Sequence, residues 1–361
     1  MVAIVAREEC VLKELAPAGD VDAYVEQDER VAYFYLRSAD SNFGMRSCWV
    51  RNLGVAPAKL DVEGMRKGLP PMLPTPLCRH PSGAPRLEAE RLRVVWFEEG
   101  DAAALLEDER ILAIIPGWSG RDGFSGYARD CLAQSPLCWP LDEKNELHDR
   151  VRRSDEYWAS WSTDPGPWGE TQSAQCEAYS RDLGQHEKYY AIDGDQWPPK
   201  AMVRIERPNA SILATVGMCL RAQPCVEQYV EDPVAYRRIE LATAQGPELA
   251  GRYLMAFASY LSGQTQLPWT GHTWLGPFHT IPCDAFGSTE PFAAVLLAPD
   301  PPDLPAVALP PFRGDPVNVL WAVPITESEH HYAQRESARE LWARLTAAGH
   351  GAIAAARKPV A

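Results

Sequence analysis

The spacing of hydrophobic and polar positions changes character twice along this chain, and each change marks a different kind of element. Short apolar runs dominate the first 140 residues. Val31–Leu36, Met45–Val50, Leu92–Phe97 and Ile111–Ile115 read as strands, the first of them rich in aromatics and suited to a central position. Ala102–Glu107 between two of these runs fits either a helical turn or a hairpin arm. The opening segment as far as Leu15 predicts a short helix that Pro17-Ala-Gly19 breaks, and Asp61–Lys67 predicts another. Gly68–Pro85 holds six prolines, each lacking a backbone donor, and is expected to be an irregular loop laid over the surface or used for contact.

From Leu141 to Trp161 the period lengthens. Leu147, Val151, Ser154, Trp158 and Trp161 recur at steps of three and four, the signature of an amphipathic helix. Trp168–Leu183 predicts a second helix, with the Asp164-Pro-Gly-Pro167 break between them. The strand pattern then returns at Ala201–Glu206 and Ser211–Val216, joined by the turn Arg207-Pro-Asn-Ala210, and again at Arg237–Ala242. Pro247 is placed to open a helix reaching Leu261, with Leu249, Tyr253, Phe257 and Tyr260 as its core stripe. Phe292–Ala298 and Val317–Pro324 read as buried strands separated by a proline-rich loop. Thr326-Glu-Ser-Glu329 has the form of a capping box, so a helix starts there. A second box, Ser337-Ala-Arg-Glu340, restarts it, and Gly349 ends it. The tail at Arg357-Lys358 is expected to be disordered.

The predicted fold class is α+β in two parts, each a mixed or mostly antiparallel sheet with helices packed on one side. The expected organisation is an N-terminal α+β domain over residues 1–140, a helical bridge over 141–190 and a second domain over 191–361. A chain of 361 residues has length enough for two cores. No apolar run approaches the roughly 20 residues of a membrane span, and Met1–Ala6 is followed at once by Arg7, Glu8 and Glu9, which does not fit a signal peptide. Nine cysteines show no paired zinc-ligand spacing and read as free thiols of a reducing cytoplasm, most of them core residues. A formal charge of −14 argues against nucleic acid as a partner and suits a basic protein, beside the simpler role of keeping the chain soluble. Arg150, Arg152 and Arg153 form the one basic cluster and read as a solvated helix face.

Candidate chemistry is sparse. Pro116–Gly126 carries four glycines, yet no phosphate-loop Gly-Lys-Ser/Thr follows, and neither Ser119 nor Ser125 stands in a nucleophile-elbow pattern. Trp118 and Phe124 are expected to pack under a sheet. His272, His279, His330 and His331 fall in the same half of the second domain near Glu290, Glu327 and Glu329. Their spacing misses the helical His-Glu-x-x-His zinc site, and adjacent His330 and His331 cannot face one ligand together. A structural role for His279, donating to a backbone carbonyl, outweighs ligation. No metal, cofactor or catalytic residue is assigned.

The loop His272-Thr-Trp274-Leu-Gly-Pro277-Phe-His279-Thr-Ile-Pro282, the strand Val317–Pro324 and the Ile325-Thr-Glu-Ser-Glu329 helix entry together resemble the C-terminal half of the Suppressor of fused domain. The resemblance covers about residues 190–355, and the first 150 residues resemble the N-terminal extension of a bacterial subgroup. Ala210–Val216 followed by Gly217 sits where the family has a strand ending in a Gly-Leu-Ser-acid turn. Here Met218, Cys219 and Leu220 follow the glycine, so the acid that helps eukaryotic members hold a basic peptide is missing.

The resemblance implies a non-catalytic protein-binding module. Bacterial relatives are often inferred to be immunity proteins of toxin systems, and an acidic chain suits a basic toxin. Eukaryotic relatives bind a peptide by adding its strand to a sheet edge, and the contact surface is expected in the cleft between the two domains. Trp274, Phe278, His279, Asp284, Glu290 and Trp321 are the candidate binding residues, the aromatics by residue type, with a core role weighed as the stronger reading for Trp321. The competing class is a hydrolase-like enzyme using a His279, Asp284 and Glu290 loop.

Overall fold

The computed structural model describes residues 9–17, 19–163 and 166–361; the reading of Met1–Ala6 lies outside them. The chain divides into two compact units. The first runs to Ser162 and includes the later segments Glu227–Val230 and Trp269–His272, and the second holds the rest. The two helices expected to form a bridge are therefore divided between the units and do not stand as a third body.

In the first unit, β1 (Glu9–Leu15), β2 (Asp22–Gln27), β3 (Val31–Arg37) and β4 (Met45–Asn52) form an antiparallel sheet in sequence order. The helix expected before Leu15 is β1. Its short stretch of mixed polarity supports either conformation, and pairing with β2 from Glu9↔Gln27 to Leu15↔Asp22 settles it. After α1 (Val62–Arg66), capped by the Asp61 carboxylate, comes the proline-rich loop, regular only in one turn at Thr75–Leu77. A second sheet follows, with β5 (Leu92–Trp96), β6 (Ala103–Glu107), β7 (Arg110–Ile115), β8 (Tyr127–Ala128) and β9 (Trp139–Pro140) in that order. Ala102–Glu107 is thus the middle arm of two hairpins.

The side chains of β6 and β7 divide between two cores by the two-residue strand period, which breaks where consecutive Leu112 and Ala113 share one core. Ala103, Leu105, Leu112 and Ile115 pack with Phe34 and Trp49 of the first sheet. Ala104, Leu106 and Ile114 pack with Leu147 and Val151 of α2 (Leu147–Ser160). Phe124 is buried against Tyr127 and Trp139, and Trp118 packs beside α2's core. Ser119 and Ser125 donate to the Ser125 and Pro136 carbonyls, which is loop closure. Arg150 departs from its expected solvated role: it is held between Glu99, at 3.0 Å, and Glu227, over the Phe97 ring.

The second unit begins with α3 (Gly166–Asp182) and the antiparallel strands β10 (His186–Ala191), β11 (Ala201–Arg207) and β12 (Ala210–Val216). One-turn α4 (Val226–Tyr229), mostly a part of the first unit, precedes β13 (Ile239–Gln245), and α5 (Pro247–Gln264) is followed by one-turn α6 (Leu267–Thr270), whose second half returns to the first unit. Then come β14 (Thr280–Pro282), β15 (Phe292–Ala298), β16 (Asn318–Thr326), α7 (Glu327–Tyr332), α8 (Ala338–Ala347) and β17 (Ile353–Ala354). The sheet order is β10-β11-β12-β13-β16-β15-β14, with β17 beside β13. It is mixed, since β13 runs parallel to β16 and β17.

Val203, Ile212, Ala242, Trp321, Val323 and Leu296 make one core face, covered by Tyr179 and Leu183 and by Leu341, Trp342 and Leu345. α5 packs against β12 and β13 through buried Leu249 and Phe257. Both predicted boxes cap: Thr326 accepts from the Glu329 N–H while the Glu329 carboxylate accepts from the Thr326 N–H at 2.9 Å, and Ser337 accepts from the Glu340 N–H. The tail expected to be disordered is anchored instead. Fully buried Glu329 also accepts from Arg357 Nη2 at 2.8 Å and from the Val360 N–H at 2.9 Å.

Candidate functional site

The candidate loop is built around one close aromatic contact. Gly276 must be glycine, because a Cβ there would lie 2.3 Å from the Trp274 ring. That space lets Trp274 fold back edge-on to the His279 imidazole, with centroids 4.5 Å apart. Tyr236, 37 % exposed, meets the other side of Trp274 edge-on at 6.3 Å. His279 Nδ1 lies 3.2 Å from both the Trp274 carbonyl and the Gly276 N–H, donating to the first in one tautomer and accepting from the second in the other. Burial pushes the His279 pKa below its usual value against the pull of the Trp274 carbonyl, so the ring is neutral at physiological pH. Both bonds are with the backbone of its own loop.

Phe278 is a non-glycine residue at φ 69°, a left-handed conformation that costs an L-residue about 1–2 kcal/mol. The Phe278 N–H donates to Leu297 at 2.7 Å and holds the loop to the sheet, and its ring carries the Arg339 guanidinium at 4.4 Å.

Asp284 and Glu290 belong to a different neighbourhood. Asp284 is exposed on the loop after β14, whereas Glu290 pairs with Arg252 at 2.8 Å and lies 3.5 Å from the Tyr253 hydroxyl. No hydrogen bond among the described residues joins His279, Asp284 and Glu290, so the arrangement lacks an assembled acid–base set. Trp321 is 2 % exposed within the core, which fits packing and not a contact surface. The four histidines are not brought together either. His272 is a residue of the first unit, with Nε2 2.9 Å from Asp20 and 3.1 Å from Ser38. Among the described residues no group of three His, Cys, Asp or Glu is placed to hold a metal.

What sequence reasoning missed is a buried polar nest at the turn after Val216. Glu240, fully buried in β13, supplies a carboxylate from the neighbouring strand. It accepts from the Gly217 and Cys219 N–H groups, both at 3.0 Å, from Gln175 Nε2 at 2.9 Å and from the Thr215 hydroxyl at 2.6 Å. Gly217 takes φ 91°, and a Cβ there would meet the Trp168 ring. A lone glutamate in the otherwise uncharged run Ile239–Gln245 was the available signal. Nearby, Asp315 holds Arg237 at 2.7 Å and fully buried Arg238 at 2.8 Å. Burial works to raise the Asp315 pKa, but these two arginines outweigh it and the pKa falls below the usual value. Lys200 is the counter-case: it is 1 % exposed, and Nζ has no hydrogen-bond partner among the described residues. Burial pushes its pKa down to about 8, partly offset by Asp193.

Residues 196–356 match the family described as Suppressor of fused protein (SUFU). No curated protein matches the chain. Among solved structures, a SUFU homologue from Neisseria gonorrhoeae FA 1090 is 13% identical with a TM-score of 0.36, covering 53% of this chain and 97% of that one. The Sufu–Fu complex is 14% identical with a TM-score of 0.39, covering 53% and 92%.

Proposed function

We infer, taking as premise the Suppressor of fused domain that residues 196–356 carry, that this chain is a non-catalytic protein-binding protein and that its second unit provides the contact surface. The observation that supports this reading is the half-exposed aromatic set Tyr236, Trp274 and His279, fixed in place by Gly276 and by the strained Phe278 backbone. Rigid, partly exposed aromatics lose little entropy on binding and are typical anchors. Backbone strain retained at such a loop is itself a pointer to use.

The partner is a basic protein or peptide. Exposed Glu231 and Asp232 lie just upstream of Tyr236, and the formal charge of −14 favours encounter with a cation-rich surface. β14 follows directly on this loop and is an edge of the eight-stranded sheet, so a partner strand adding there would lie beside the aromatic set. Phe278 belongs to the surface as the residue that sets the loop, and Asp284 is an exposed acid beyond β14. Glu290 orients Arg252 on α5. A basic toxin neutralised by this protein as its immunity partner is the specific form of the reading.

The test is affinity capture from the native host with the full chain as bait, followed by calorimetric titration of the captured partner. Changing Trp274 and His279 together to Ala is expected to weaken binding by roughly 30-fold or more with the near-ultraviolet spectrum retained. A partner that is acidic, or that binds the folded double variant as tightly as the original, would sink the proposal.

A further inference from the structure

Four cysteines converge in the core of the first unit: Cys48, Cys78, Cys131 and Cys138 are all buried there. Cys131 is the hub. It faces Cys78 across an antiparallel bridge, flanked by the Arg79 N–H to Asp130 and Leu132 N–H to Leu77 hydrogen bonds. That makes the pair a non-hydrogen-bonded one, with Cα atoms about 4.5 Å apart. On its other side, Cys131 is in hydrogen-bond contact with the Cys138 thiol, and Cys131 Sγ lies 3.6 Å from the Cys138 carbonyl. The group holds no metal-binding set, so its chemistry is that of adjacent thiols.

We propose that Cys131 and Cys138 are a peroxide-oxidisable pair, a modification site that closes the loop between β8 and β9 with a disulfide. Cys131 is the attacking thiol. Its pKa lies below the usual cysteine value, chiefly through the Cys138 hydrogen bond, whereas burial raises that of Cys138. The Cys131 thiolate attacks hydrogen peroxide, the O–O bond breaks, and a sulfenic acid forms as hydroxide leaves and takes up the proton that the Cys131 thiol released, giving one water. Cys138 sulfur then attacks the sulfenyl sulfur, the S–O bond breaks, and the Cys138 proton leaves with the hydroxyl as a second water. Two thiols are oxidised and one peroxide is reduced.

Access comes through the loop itself. Leu132, Ala133 and Gln134 are exposed, and the Ser135 bonds to Leu137 and Cys138 are all internal to the loop. Opening it breaks the Leu132 N–H bond to Leu77, the Trp49 N–H bond to Leu137 and the Ser125 bond to Pro136, a local transition that requires no global unfolding.

The full chain is exposed to hydrogen peroxide, quenched with an alkylating agent and mapped by mass spectrometry of unreduced peptides. The expected result is a Cys131–Cys138 linked peptide, loss of two of the nine free thiols, and reversal by dithiothreitol. In Cys138→Ser, dimedone is expected to label Cys131 as a trapped sulfenic acid, while a retained near-ultraviolet spectrum reports the fold. Full alkylation of both thiols in the wild-type chain after peroxide, oxidation confined to exposed Cys10, or a Cys78–Cys131 disulfide in their place would overturn the assignment.

Discussion

Two glutamates, Glu240 fully buried in the second unit and Glu227 partly buried in the first, show what a charge needs in order to sit inside this protein. Glu240 in the second unit meets four neutral donors, two of them backbone N–H groups. Glu227 in the first unit meets the guanidinium of Arg150 on one oxygen, while its other oxygen is buried without a hydrogen-bond partner among the described residues. Burial, with Glu99 and Asp101 nearby, pushes the Glu227 pKa up in spite of Arg150. An opposite charge at one oxygen is thus a poorer solution than a full set of short dipoles, because desolvation acts on the whole carboxylate and one ion pair answers only part of it.

The largest test removes the better solution. Glu240→Ala leaves the Cys219 N–H and the Thr215 hydroxyl without their acceptor, and the Gly217 N–H and the Gln175 amide with only Gln175 Oε1 and Cys219 Sγ, and is expected to cost about 4 kcal/mol in urea denaturation. Glu240→Gln should cost less, since its carbonyl oxygen still accepts. Equal stability of Glu240→Ala and the parent would show that the donors find other partners.

Lys200 is the extreme of the poorly solved case. With its folded pKa near 8 against an ordinary 10.5, Lys200→Met is expected to stabilise the second unit by about 3 kcal/mol at pH 7. The unfolded chain holds the lysine proton more tightly, so the penalty is full below about pH 8 and is relieved as pH rises from there towards 10.5. The gain from Lys200→Met should shrink across that window, and a pH-independent gain would trace it to packing alone.

The smallest effect is expected at Glu227. Its raised pKa means that the folded state holds the proton more tightly. Its contribution is therefore greatest below the unfolded value of 4.5 and is lost as pH rises through the folded value. Glu227→Gln should flatten that slope and change neutral-pH stability by about 1 kcal/mol or less. A parent chain and variant with parallel pH profiles would remove the contrast with Glu240.

Elements with a strong local signal were legible in advance. β3, β4, β5, β7, α2, α3, β15 and β16 follow apolar runs or a helical period, and the capping box on α7 and the Ser337 cap on α8 are local chemistry within four residues. The segment before Leu15 was not legible as a strand, because its state depends on pairing with β2. The Trp274–His279 contact and its backbone-bonded histidine were within reach, since Gly276 and the aromatic spacing lie in one loop. The separation of Glu290 from His279 was not, because Arg252, its partner, comes from α5, 38 residues earlier in the numbering.

By itself the sequence determined the strongly patterned strands and helices, the α+β class, and the loop that carries the partly exposed aromatics, all of which rest on short-range periodicity and caps. Only the tertiary structure decided that Glu240 accepts from the Gly217 and Cys219 N–H groups, that Arg150 is held between Glu99 and Glu227, that Arg357 is pinned to Glu329, and that Cys131 sits among three other thiols. Those outcomes depend on which distant residues share a low-dielectric interior, and no local pattern records them.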